Sequence, residues 1–273
     1  MKKTVYILAV VLLLLVFGIS AFMVGSYIIE GKQQEERFNE LAAMKENARP
    51  TVETKDPQDP EEPTKETLPE GTFGAEDIRD ENGILLEYSE IYALNNDLVG
   101  WIRIDGTKLN YPVMQTPDNP NYYLYRDFDK RDSSRGSIYV REECDLLEPS
   151  DNITIYGHNM RDGSMFEALN DYIHKDTWEN NSLIFFDTLH DYHVYQIFAV
   201  FKTSANLGEG FRYHHMIDAG NKQEFDEFVK TCKDLSFYDT GITPQYGDKL
   251  ICLSTCEYTL NNGRLVVAAM RIS

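Results

Sequence analysis

Hydrophobic and polar positions divide the chain into three regimes. From Thr4 to Ile29 the stretch "TVYILAVVLLLLVFGISAFMVGSYII" carries no charged residue. As a helix, about 25 such residues would be about 37 Å long, enough to cross a hydrocarbon layer of about 30 Å. A cleaved signal peptide is the rival reading, but its apolar region is usually shorter and ends in a small-residue site. Ser20-Ala21-Phe22 matches such a site weakly, so the run reads as an uncleaved membrane anchor.

The second regime is polar. "EGKQQEERFNELAAMKENA" is helix-prone and reads as a juxtamembrane stalk. "RPTVETKDPQDPEEPTKETLPEGT" then carries five of the ten prolines among Glu, Asp and Thr. It has too little apolar surface to bury and is expected to be an extended acidic linker.

The third regime begins near Ala75. "AEDIRDENGILLEYSEIYALNND" has Leu85, Tyr88, Ile91 and Tyr92 at a helical period. Eight strand-like stretches follow, rich in Val, Ile, Tyr and Phe and separated by Gly, Asn, Asp and Pro. They are "GWIRI", "LNYPVMQ", "GSIYV", "NITIYG", "SLIFFD", "YHVYQIFAVFKT", "DKLICLST" and "RLVVAAMRI". Two helical patterns interrupt them: "SMFEALNDYI", and "NKQEFDEFVKTCKDL" with Phe225, Phe228, Val229 and Cys232 on one face. Eight strands with few helices predict a mainly β domain, a closed barrel or a sandwich with helical insertions. The expected layout is a tail over 1–3, an anchor over 4–29, stalk and linker over 30–74 and a folded domain over 75–273.

Charge narrows the function classes. With 26 basic and 45 acidic residues the formal net charge is −19. Nucleic acid is a poor partner for such a chain, because neutralising phosphates needs a basic surface. Lys2 and Lys3 ahead of the apolar run favour a cytoplasmic N-terminus and an extracellular folded domain. Four cysteines in an exported chain suggest disulfides. On one strand, however, Cys252 and Cys256 would lie about 13 Å apart, beyond the disulfide limit of about 7 Å. Pairing of Cys144 with Cys232 stays open.

If "KLICLSTC" is a strand, Cys252, Ser254 and Cys256 share one face, and Cys256 stands where the strand gives way to the loop "EYTLNNG". A small buried hydrophobe is the ordinary role of such a cysteine. Structural zinc is the weaker reading, because C-x₃-C without further ligands does not complete a site. Asn262-Gly263 signals a tight hairpin turn that could return Arg264 to Cys256. A cation beside a thiol favours the thiolate and can stabilise an oxyanion. A cysteine nucleophile also needs a proton shuttle. Of six histidines, His158 alone follows an apolar strand and a glycine directly, in "NITIYGHN". The other five read as surface or capping residues.

In chain order, "YGHNMRDGSMFEALNDY", "LSTCEY" and "GRLVVAAMRI" behind an N-terminal anchor resemble the sortase family, class B. The likeness covers roughly 84–273. It implies an eight-stranded β-barrel with an N-terminal helix, and a cysteine transpeptidase that needs no metal or organic cofactor. By that resemblance Cys256 would attack a Thr carbonyl in the C-terminal sorting signal of a surface protein. Arg264 would stabilise the oxyanion or position the signal. His158 would protonate the departing amine and then accept a proton from the amine of a lipid-linked peptidoglycan precursor. Ser254, Tyr156 and Leu124 resemble groove-lining positions. Glu257 is a further substrate-binding candidate, either paired with Arg264 or a solvated loop charge. Cys252 stands where many sortases have Thr.

Three alternatives remain at this point. A pilin-polymerising sortase would use a lysine acceptor. A Cys-His wall peptidase or hydrolase commonly places Cys before His and at the start of a helix, the reverse of the order here. A non-catalytic membrane-tethered binding domain would hold an inert thiol.

Overall fold

The computed structural model describes residues 2–49, 51–55, 63–67, 79–206 and 208–273. Residues 1–40 and 41–273 form two separate compact units. Helix α1 (Lys2–Ala48) carries the apolar run, and its large side chains from Val5 to Ile29 are mostly exposed. It is the one helix among the described residues long and apolar enough to cross a membrane. The expected Pro-rich linker lies for the most part outside the described residues. Within it, β1 (Thr51–Lys55) and β2 (Pro63–Thr67) pair antiparallel.

The larger unit continues with α2 (Leu86–Leu94), β3 (Leu98–Arg103), β4 (Asn110–Met114), β5 (Ile138–Val140) and β6 (Asn152–Tyr156). Then come α3 (Lys175–Asn180), β7 (Leu183–Thr188), β8 (Val194–Ser204), α4 (Lys222–Leu235), β9 (Leu250–Glu257) and β10 (Gly263–Arg271). The last eight strands close a barrel in the order β10-β8-β7-β3-β4-β5-β6-β9. Closure leaves no unpaired sheet edge. Each predicted strand is present, and of the two candidate architectures the chain adopts the barrel.

The helical period over Leu85, Tyr88, Ile91 and Tyr92 is met by α2, which begins at Leu86. Asp80 accepts from the backbone N–H groups of Asn82 and Ile84, and Gly83 takes a φ of 76°, so a tight turn competes with helix ahead of it. The segment after Ser164 forms a 3-10 helix over Glu167–Ile173 rather than an α-helix.

Helix α4 follows its sequence pattern closely. Asn221 accepts from Glu224 N–H, while Glu224 accepts from Gly220 N–H, a reciprocal cap at the helix start. Its apolar face, Phe225, Phe228, Val229 and Cys232, is buried with Phe198, Phe201, Tyr213, Cys252 and Val266. Because α4 lies outside the closed barrel, the face of β9 that carries Cys252 is the outer one. The inner face, with Ile251 and Leu253, fills the barrel, so β9 is buried on both sides.

Candidate active site

Strand pairing brings the three chemically distinctive residues together. β9 and β10 are antiparallel neighbours, and their register sets Arg264 directly opposite Cys256. β6 and β9 run parallel with Tyr156 beside Ser254. His158 lies two residues beyond Tyr156, as Cys256 lies two beyond Ser254, and both line the same cleft.

Local bonds hold that alignment beyond the end of β6. Gly157 N–H donates to Ser254 O at 3.1 Å, and Thr255 Oγ1 donates to Gly157 O at 2.8 Å. Asn159 Nδ2 donates to Cys256 O at 2.9 Å, and Asn159 is itself bonded to Asn170. Gly157 is required by close approach: a Cβ there would lie 2.5 Å from Ile138 Cδ1 and 2.6 Å from the Phe166 ring. The His158 ring lies 5.9 Å from that of Tyr125, and its Nε2 is 2.8 Å from Leu124 O. A carbonyl only accepts, so Nε2 carries a proton in this contact.

The hairpin after Cys256 is longer than Asn-Gly alone suggests. Glu257 pairs with Gly263, leaving a five-residue loop between them, with Asn262 left-handed at φ 51°. A Cβ on Gly263 would meet Glu257 O at 2.6 Å, which accounts for the glycine there. Arg264 reaches back through Nη1 to Asn262 O, Asn262 Oδ1 and Gly263 O.

His158, Cys256, Arg264, Ser254, Tyr156 and Leu124 line one cleft of about 270 Å³. Cys256 is half-buried, whereas Cys144, Cys232 and Cys252 are buried, and all four are free thiols. Ser254, only 1 % exposed, bonds through its hydroxyl to Tyr213 Oη at 2.5 Å. The Tyr156 ring packs 5.4 Å from Tyr139. Burial raises its phenol pKa, with the Arg141 guanidinium opposing that shift.

Glu257 is not brought to the cleft, and neither sequence reading of it holds. The residue is buried, its Oε1 pairs with Lys202 Nζ at 2.8 Å, and it accepts from the N–H groups of Thr259 and Leu260. Burial works to raise its pKa, but these partners outweigh burial and hold the carboxyl down to about 2. A depressed carboxylate stabilises the fold above the ordinary glutamate range and loses that effect as the pH falls through its native value. Glu257→Gln is therefore expected to lower stability by about 1–3 kcal/mol near neutral pH. In thermal melts the difference from the unaltered protein should shrink as the pH approaches 2.

His214 departs from its expected surface role by lining the same cleft, half-buried, as do Arg212 and Phe211. Phe211 and Arg212 precede, and His214 lies within, the 3-10 turn Tyr213–His215, which has no periodic signature in sequence. Among the described residues no group of three or more His, Cys, Asp or Glu stands ready to hold a metal ion.

The arrangement can perform acyl transfer: a thiol on a strand, a guanidinium directly opposite, and an imidazole on the adjacent strand's extension. Comparison with known proteins agrees. The sequence matches the sortase domain family over residues 102–272. It is 31% identical to sortase B of Staphylococcus aureus over 185 residues, covering 67% of this chain and 73% of that one. With sortase B of Listeria monocytogenes the identity is 33% over 186 residues, 66% of this chain and 72% of the relative. A solved Staphylococcus aureus sortase B-substrate complex superposes with a TM-score of 0.64 at 31% identity, covering 70% of this chain and 86% of that one. A sortase B complexed with triglycine gives 0.63 at 31% identity, over 68% and 86%. The chain belongs to the sortase family of cysteine transpeptidases. Within that family it is a class B sortase.

Proposed function

We propose that this enzyme cleaves a C-terminal sorting signal at a Thr carbonyl and transfers the exported surface protein to an amine of a lipid-linked peptidoglycan precursor. The observation that carries the reading is the convergence of His158, Cys256 and Arg264 on one cleft. Cys256 Sγ attacks the Thr carbonyl carbon, and the Arg264 guanidinium stabilises the oxyanion of the tetrahedral intermediate. As the C–N bond breaks, His158 gives a proton to the departing amine and a thioester remains. The incoming amine attacks that thioester, His158 takes its proton, and as the C–S bond breaks Cys256 leaves as the thiolate. Leu124 O, by holding one ring N–H, orients His158 and leaves Nδ1 for proton exchange. Ser254 and Tyr156 shape the cleft for the signal peptide.

The proposed layout is a cytoplasmic tail over 1–3, a membrane helix over 4–29, stalk and linker over 30–74, and an extracellular catalytic domain over 75–273. Its support is the charge-free apolar run of α1 behind Lys2 and Lys3. The amine acceptor is supported by the relative complexed with triglycine. A pilin-assembling role differs only in its acceptor, a lysine side chain. The test incubates the full chain in nanodiscs with a quenched library of sorting-signal peptides and either triglycine or a lysine-containing peptide. Cleavage with transfer to triglycine is expected. Transfer to lysine alone would indicate pilin assembly, and no cleavage of any peptide would contradict the sortase reading.

A further inference from the structure

We propose that the cleft selects a sorting signal with an acidic side chain N-terminal to the threonine, and that Arg212 receives it. This specificity rests on the sortase reading above. Among the described residues the cleft is lined by Arg212, Arg264, His158 and His214 and by no Asp or Glu, in a chain with 45 acidic against 26 basic residues. Three of the neighbouring carboxylates have partners of their own. Glu257 pairs with Lys202, Glu143 with Arg141, and Glu209 accepts from Ser204 and Asn206.

Arg212 is distinct from Arg264 in what holds it. Its one hydrogen bond among the described residues runs from Nη2 to Asn206 O at 3.4 Å, a long contact. A guanidinium has five N–H donors in a planar fork suited to a carboxylate. Arg212 therefore lines the cleft with most of its donors unbonded among the described residues.

Its position assigns the part of the signal it meets. Arg212 and His214 flank Tyr213, whose hydroxyl bonds Ser254, two residues before Cys256 on the same face of β9. The cleft runs from Cys256 past Ser254 to these residues. The part of the signal upstream of the threonine stays covalently attached through the thioester stage. It must remain bound until the amine arrives, so it is the part that benefits from a charge contact here.

His214 reports the local field. Its pKa is lowered to about 4, by burial first and then by Arg141, His215 and Arg212, with Glu143 opposing. The positive charge around it is thus incompletely neutralised. A carboxylate entering beside Arg212 would raise that pKa, which supplies a readout independent of turnover.

The experiment uses the full chain in nanodiscs and quenched signal peptides with Glu, Gln or Lys at successive positions upstream of Thr. At one position kcat/KM should fall in the order Glu, Gln, Lys, with Glu above Lys by about tenfold or more. In Arg212→Gln the Glu-to-Lys ratio should approach unity, and Arg212→Lys should keep the order. Because the ratio is taken within each variant, a general loss of folded protein does not mimic the effect. With Cys256→Ala protein labelled at histidine, the Glu peptide should raise the His214 pKa and the Gln peptide should not. Equal rates for Glu and Lys peptides at every position, or an undiminished ratio in Arg212→Gln, overturn this specificity and leave the sortase reading standing. Failure of every peptide to react overturns both.

Discussion

Cys256→Ala is expected to abolish both signal-peptide cleavage and amine transfer, leaving no measurable residual rate. The expectation follows from the state of the other thiols. Burial pushes the Cys144 thiol up to about 11, and Cys232 and Cys252 are raised as well, again by burial first. Each of the three is buried, whereas Cys256 lines the cleft. A buried, protonated thiol is a poor nucleophile, so none can take over the acyl group. The nearby hydroxyl of Ser254 is buried and bonded to Tyr213. Cys252→Ala makes the contrasting control. It leaves a small void against Phe225 and Val229 and should reduce stability while keeping turnover. Peptide-cleavage rates and thermal melts of the two variants separate chemistry from packing.

Arg264→Ala is expected to lower kcat by about 10²–10³, the usual effect of removing one oxyanion donor. The cross-strand register fixes its backbone opposite that of Cys256, so the guanidinium is delivered by the sheet rather than by a mobile loop. Among the described residues its three hydrogen bonds all use Nη1, which leaves Nε and Nη2 to meet an oxyanion. Arg264→Lys retains charge but loses the planar fork and should recover only part of the rate. Pre-steady-state measurement of thioester formation would assign the loss to the acylation step. An unchanged acylation rate would remove Arg264 from the oxyanion role.

The barrel was readable because its strands are short, β-rich and punctuated by turn residues, from "GWIRI" to "RLVVAAMRI". Helix α4 was readable because four buried residues follow a helical period behind an Asn-Glu cap. Helix α2 was readable in the same way, from the period of Leu85, Tyr88, Ile91 and Tyr92. The positions of Cys256 and Arg264 followed from a hairpin that pairs consecutive strands. The level of His158 depended on the parallel pairing of β6 with β9, a non-local contact supplied in advance only by the resemblance to sortases. Glu257 was misread because its partner Lys202 lies on β8, far away in sequence. Arg212 and His214 were missed because a three-residue 3-10 turn leaves no pattern to read.

The most direct measurement of the central claim is mass spectrometry of the acyl-enzyme. The full chain is mixed with a sorting-signal peptide without any amine acceptor, quenched in acid, digested and sequenced. An adduct matching the peptide through its threonine, attached to Cys256 and released by hydroxylamine, is the predicted result. An adduct on any other residue, or peptide cleavage that persists in Cys256→Ala, would contradict it.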